Sequence, residues 1–227
     1  MSQVQVLYED KDIIVAVKPA GMASQPDRSL GMDMVNWLKN AARGDIHVIH
    51  RLDRLVGGIM VYARNKKAAA SLSRQIRENA VKKEYLAIAC GSLTAGVPQE
   101  DGSMCLTDFL VPARGKEPAR VAGADTPGAV RAQLIYRVID EKFLDDGSRL
   151  CLVRVRLITG RRHQIRAQLA GAGAPILGDG KYGGLPSGTG LALFAWRLGF
   201  THPSTGERMD FKAPIPPVIR EHFPENA

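Results

Sequence analysis

Two long runs of the chain, residues 131–139 and 150–158, alternate polar with apolar positions on either side of Asp145-Asp146-Gly147. A period of two interrupted by a turn triplet predicts an antiparallel hairpin. Shorter β-rich runs at residues 4–8 and 13–18, split by Glu9-Asp10-Lys11-Asp12, predict a second hairpin that Pro19-Ala20-Gly21 ends. Residues 46–49, 59–63, 84–89, 191–200 and 209–211 read as further strands, the last two joined by a turn over residues 202–206. Helical spacing predicts three helices. The first follows Asp33 as cap and runs to about Ala42, with Met34, Val35, Leu38 and Ala41 on one face and Gly44 beyond its end. The second follows Asn65 and covers residues 66–78, with Ala68, Ala69, Leu72 and Ile76 inward. The third covers residues 162–170, with Ile165 and Leu169 inward.

Between residues 94 and 127 the periodicity weakens among prolines and glycines, and Arg114, Lys116 and Arg120 cluster there. An irregular basic excursion is expected, either a plain surface loop or an arm that touches RNA. Strands and helices mix without a βαβ rhythm, an internal repeat or a Gly-rich phosphate fingerprint. The expectation is α+β: one domain over residues 1–227, built on a long, mixed, mostly antiparallel sheet flanked by helices.

Composition narrows the class. With 45% hydrophobic residues in 227, the chain can bury a core, which excludes a disordered tail protein. Thirty-one Lys and Arg against 23 Asp and Glu leave a formal charge of +8, which suits a polyanion such as nucleic acid and equally a soluble protein with solvated basic faces. Cys90, Cys105 and Cys151 are odd in number, and no CxxC pair exists, so reduced packing cysteines and a cytoplasmic location are expected. No signal-peptide layout opens the chain, and no apolar run approaches the ~20 residues of a membrane span.

Candidate chemistry centres on His50-Arg51-Leu52-Asp53, which stands between two apolar runs. Asp53 precedes Gly57-Gly58, which permit a tight turn beside it. An aspartate there is either a turn-forming side chain or an exposed carboxylate able to meet a substrate. The guanidinium groups of Arg51 and Arg54 favour its charged form and would attract phosphate. Thr159-Gly160-Arg161-Arg162-His163-Gln164-Ile165-Arg166 sets Arg162 and Arg166 four apart, for phosphate at a helix start or for pairing one arginine with a buried acid. Tyr85 at a strand start either stacks on a nucleobase or belongs to the core. Residues 178–183 lack Walker spacing and read as a turn-rich loop. His47 and His50 would face opposite sides of a strand, with no ligand set to complete a metal site. No Gly-x-Ser-x-Gly elbow supports a hydrolase triad.

Taken together, these strings resemble the RluA-type family of RNA pseudouridine synthases. They are His50-Arg51-Leu52-Asp53 with Gly58, Lys83 and Tyr85, Thr159 to Arg166, Pro175-Ile176-Leu177-Gly178-Asp179 with Tyr182-Gly183, and His202-Pro203 with Phe211 and Ala213-Pro214. The resemblance implies a cofactor-free isomerase acting on RNA; beside it, ribosomal or transfer RNA as substrate and a cytoplasmic monomer without a metal are expected. It implies Asp53 as the catalytic aspartate, either nucleophile at the anomeric carbon or base on the ribose. It also implies Tyr85 stacked on the target base, Arg166 paired with the aspartate, and Arg51 filling the space that a flipped base leaves. The chain opens directly on the catalytic hairpin, so no separate N-terminal RNA-binding domain is expected.

The match is incomplete. Val56-Gly57-Gly58 stands where the family usually has Thr-Ser-Gly, Arg162 where it has a threonine, and Gln168 and Phe194 where it has histidines. Missing hydroxyls beside Asp53 remove side-chain hydrogen bonds of ~1 kcal/mol each. A catalytically silent RNA-binding protein on the same fold is the alternative. A glycosidase would need a second carboxylate about 5 Å from Asp53, and the motifs offer none.

Overall fold

The computed structural model describes residues 3–27, 31–115 and 117–226. In chain order the strands are β1 (Gln5–Glu9), β2 (Ile13–Lys18), β3 (His47–Val48), β4 (Gly57–Ala63), β5 (Lys82–Cys90) and β6 (Val97–Pro98). They continue as β7 (Met104–Val111), β8 (Arg120–Ala122), β9 (Val130–Phe143), β10 (Arg149–Leu157), β11 (Leu193–Thr201) and β12 (Arg208–Lys212). The helices are α1 (Met34–Ala42), α2 (Lys66–Arg77), α3 (Gln164–Gly171) and the short α4 (Pro217–Arg220). None is long and apolar enough to cross a membrane. The chain divides into two compact units, residues 1–83 with 194–214 and residues 84–193 with 215–227.

In the first unit, β1 pairs antiparallel with β2 and β2 with β4, bringing Val15 opposite Val61. The far edge of β4 meets β3 at Tyr62 and Ala63, and meets β11 in parallel at Gly57 and Gly58. β11 turns back antiparallel into β12. Every residue of β4 is buried, as are Ile13 to Ala16 of β2, so these strands read as continuous apolar runs. Helix α2 packs on β3 and β4. From α2, the Gln75 amide donates to Thr201 O and accepts Thr201 N–H, both at 2.8 Å, so a buried polar side chain completes the β11 backbone.

The turns of the two hairpins in this unit interlock. His202 accepts the Ser204 and Thr205 N–H groups at Nδ1, which leaves Nε2–H to donate to Asp10 Oδ2 at 2.9 Å. Asp10 Oδ1 meanwhile accepts the Asp12 and Ile13 N–H groups. Asp10, Asp12 and His202 place three ligand-type groups within 4.8 Å of one another, and these bonds give the trio a structural use.

In the second unit β5, β10, β9 and β7 follow one another antiparallel, with β6 and β8 on β7. The expected 131–139/150–158 hairpin is present, with a bulge between Leu152 and Val153. α3 packs against β7 and β8.

Several expectations are corrected. The 94–127 stretch is not irregular, since it contains β6, β7 and β8. In β7 only Leu106 and Leu110 are fully inward; between them stands Asp108, whose carboxylate accepts from Gln168 Nε2 at 2.7 Å. A polar residue on the inward face broke the alternation that marks a strand. Gly57-Gly58 is not a turn but the start of β4, and a Cβ on Gly58, at φ +127°, would fall 2.2 Å from Ala195 O. α3 begins at Gln164 rather than Arg162, because His163 is left-handed (φ 57°). In α1, Met34, Val35 and Leu38 are buried but Ala41 is exposed. The Asp33 and Asn65 caps form as expected, each side chain accepting backbone N–H groups of its helix.

Candidate active site

The loop from Ile49 to Val56 links β3 to β4 and carries the His50-Arg51-Leu52-Asp53 string. Its path is set by four anchors. His50 Nε2 accepts the Val61 N–H at 3.2 Å, on the β4 edge beyond the end of β3, so an imidazole takes the place of a strand carbonyl. Desolvation, assisted by the Lys83 charge, pulls His50 down to about 3, which keeps the ring neutral and Nε2 able to accept. Leu52 is buried and bracketed by Ser24, whose hydroxyl donates to Leu52 O at 2.8 Å and accepts Leu52 N–H at 3.0 Å. Arg54 O accepts the Gly21 N–H at 2.8 Å and Lys18 Nζ at 3.0 Å. Within the loop, Val56 N–H closes a turn onto Asp53 O at 3.0 Å.

Lys18, like Ser24, is a residue that sequence reasoning passed over. It is fully buried at the end of β2, and its ammonium donates to the carbonyls of Pro19, Met22 and Arg54 at 3.0, 2.7 and 3.0 Å. Three N–H donors meet three carbonyls. Burial pulls its pKa down to about 7, opposed by the Asp53 carboxylate and reinforced by Arg54. The positive charge facing Asp53 within this unit thus includes a lysine, not only the flanking arginines. Arg54 ion-pairs with Asp27 at 2.6 Å, and Arg51 is exposed. Asp53 itself is half-buried. The signal for Lys18 lay in its position, a lysine ending an otherwise apolar strand just before Pro-Ala-Gly.

In the second unit Arg166 lies on α3, only 4% exposed, and makes a two-point ion pair with Asp179: Nε to Oδ2 at 2.7 Å and Nη2 to Oδ1 at 2.8 Å. Its guanidinium also stands over the Tyr182 ring, 4.9 Å from the centroid, and the Tyr182 hydroxyl meets His163 Nδ1 at 3.0 Å. Planar donors, a carboxylate and an aromatic face together fix the guanidinium plane. The expectation that one arginine of the 159–166 string pairs with a buried acid is met by Arg166 and Asp179. The expectation that Arg162 shares its face fails, because Arg162 precedes the helix and is exposed. Tyr85, on β5 opposite Val155, is 7% exposed. Burial lowers the pKa of Lys83, two residues before it. Residues 178–184 form the expected tight loop: Asp179 O accepts from Tyr182 and Gly184 N–H, and a Cβ on Gly184 would lie 1.9 Å from Ile176 O.

Elsewhere in this unit, Arg114 and Arg120 line a cleft of about 440 Å³ together with Pro112, Glu117 and Pro118. Lys116, the third member of the predicted basic cluster, lies outside the described residues.

Solved structures share this arrangement of strands and helices. The chain matches the human RNA pseudouridylate synthase domain-containing proteins 1 and 4 with TM-scores of 0.74 and 0.71 over 93% and 94% of its length, at 22% and 23% identity. Those matches cover 83% and 89% of the two solved chains. The fold is therefore that of a pseudouridylate synthase domain. A family profile described as RNA pseudouridylate synthase matches residues 12–171. Over 223 residues the chain is 34% identical to ribosomal large subunit pseudouridine synthase C of Escherichia coli K12, covering 92% of this chain and 66% of that protein. The same-named protein of Salmonella typhimurium is 33% identical over 95% of this chain and 67% of its own length. An uncharacterized RNA pseudouridine synthase of Bacillus subtilis, YlyB, is 33% identical over 95% of this chain and 70% of its own. The chain spans about two thirds of the length of the first two of these relatives. It belongs to the RNA pseudouridylate synthase family, whose members are isomerases acting on RNA.

Proposed function

We propose that the chain converts uridines of ribosomal or transfer RNA to pseudouridine, with ribosomal RNA favoured by the names of the Escherichia coli and Salmonella relatives. The observation that carries this reading is the Asp53 loop, tied down by Lys18, Gly21, Ser24 and His50 within a chain whose family is shown. Anchors on both sides of one half-buried aspartate support the catalytic reading, because a reacting carboxylate needs a fixed backbone beneath it.

The reaction conserves atoms and electrons. The N1–C1′ bond of uridine breaks, the uracil turns, C5 bonds to C1′, the C5 hydrogen leaves as a proton and N1 takes one up. Asp53 is the catalytic group in both routes that the family resemblance allows, as nucleophile at C1′ or as base on the ribose. Tyr85 is the residue proposed to stack on the uracil, Arg166 to stabilise the aspartate, and Arg51 to enter the space of the extruded base. Extrusion costs a few kcal/mol, offset by stacking and by phosphate contacts of the +8 chain. No step needs a metal or an organic cofactor. The two units are proposed to serve one reaction as a single catalytic domain, acting as a monomer in the cytoplasm.

Incubation of the full chain with ribosomal and transfer RNA transcripts, followed by pseudouridine mapping, tests the substrate class. Modification of discrete ribosomal positions is the expected result. Tight binding without any pseudouridine would leave the RNA-binding alternative.

A further inference from the structure

The hydrogen bonds around the Asp53 loop are not spread evenly along it. They clamp the backbone at Leu52 and at Arg54, on either side of the aspartate. The carbonyl of Leu52, which leads directly into Asp53, accepts the Ser24 hydroxyl proton at 2.8 Å, while the Leu52 N–H donates to Ser24 Oγ at 3.0 Å. The carbonyl of Arg54, one residue past Asp53, receives Gly21 N–H and Lys18 Nζ. Both clamps come from residues 18–24, so this segment sets where Asp53 stands relative to β2 and β4. Ser24 is 5% exposed, and a hydroxyl has one proton and two lone pairs, so giving that proton to Leu52 O while accepting Leu52 N–H fixes its rotor. Its own backbone is held in turn: Tyr62 hydroxyl donates to Ser24 O at 3.4 Å, and the neighbouring Ala23 bridges to Asp33.

The loop itself offers no such hydroxyl after Asp53. Val56 is apolar and 3% exposed, and a Cβ on Gly57 would sit 3.3 Å from Lys18 O, Ala20 N and the Phe194 ring, leaving a serine there no slack. We propose that Ser24 is a positioning residue that sets Asp53 for the reaction, supplying from the 18–24 segment the hydroxyl that the loop lacks. It acts through the backbone of Leu52 and touches no substrate. The inference rests on the reading that Asp53 is catalytic.

The test uses the full chain and an RNA substrate carrying tritium at C5 of uridine, comparing wild type, Ser24→Ala, Ser24→Cys and Asp53→Asn. Tritium release at saturating RNA reports kcat, and filter binding reports affinity. Because small displacements of a reacting group are penalised steeply, Ser24→Ala is expected to lower kcat about 10- to 100-fold with RNA affinity within about twofold of wild type. Ser24→Cys, close in shape but a weak hydrogen bonder, is expected to lower kcat as well, and it replaces the alanine variant should that fail to fold. Wild-type kcat in the folded Ser24 variants beside an inactive Asp53→Asn would overturn the positioning role while leaving the catalytic reading intact. A loss confined to RNA affinity would overturn it too. Wild-type activity in Asp53→Asn would instead remove the catalytic reading, and the inference with it.

Discussion

Replacing Lys18 by methionine probes the buried cation beside the Asp53 loop. Methionine is similarly long and unbranched, so it fills the space while removing both the charge and the donors to three carbonyls. Two effects oppose each other. Carbonyls left unsatisfied in the interior destabilise by ~1–3 kcal/mol each, partly relieved by water entry or local adjustment. Against this, the folded protein loses a desolvated ammonium whose pKa has fallen to about 7 from the ordinary 10.5. The folded value lies below the unfolded one, so the unfolded chain binds more protons between them. Wild-type stability from this group is therefore complete above the unfolded value and is lost as pH falls through about 7. Within that window its slope approaches ~1.4 kcal/mol per pH unit. At pH 9, where folded Lys18 is a neutral amine whose two N–H groups still serve two of the carbonyls, the Lys18→Met variant is expected to be less stable than wild type by ~2–4 kcal/mol, the carbonyl deficit dominating. The gap should narrow toward pH 6. Urea unfolding of both proteins across this range measures the difference, in which titrations common to both cancel. A gap independent of pH would refute the buried, depressed lysine.

Three further outcomes follow from the same geometry. Asp179→Asn takes the charge from one side of a buried two-point ion pair, so a loss of ~3–5 kcal/mol in urea unfolding is expected. A neutral result would mean that Arg166 is held elsewhere. Gly58→Ala would place a Cβ 2.2 Å from Ala195 O at a φ of +127°, and should abolish soluble folded protein or lower thermal stability severely, as circular dichroism would report. Substituting both Arg114 and Arg120 by alanine should weaken RNA binding and reduce its log–log salt slope by ~0.7–0.9 for each phosphate no longer neutralised, with folding intact. An unchanged slope would assign the cleft no part in RNA binding.

How much of this was legible in the sequence differs from element to element. The β9–β10 hairpin announced itself because its apolar period is two and its turn residues are Asp and Gly, both local signals. The caps Asp33 and Asn65 were equally local. β7 was hidden because Asp108 occupies an inward position, and what makes that tolerable is Gln168, sixty residues away on a helix. Gly57-Gly58 looked like a turn because glycine permits one. Its actual constraint, the close approach of β11, comes from a segment more than a hundred residues later. The Asp53 string and Arg166 were visible as motif. His50 and Asp179 stood in the quoted strings too, but their contacts, with Val61 N–H and with Arg166, were not legible, and Lys18 and Ser24, which act on backbone carbonyls, had no motif at all.

The central claim, that Asp53 performs the isomerisation, is tested most directly by single-turnover conversion of a uridine in its RNA substrate by wild type and Asp53→Asn at equal bound fraction. Wild type is expected to form pseudouridine and release the C5 hydrogen with it, while the asparagine variant binds RNA equally well and forms none above background. Conversion by Asp53→Asn at the wild-type rate would contradict the account.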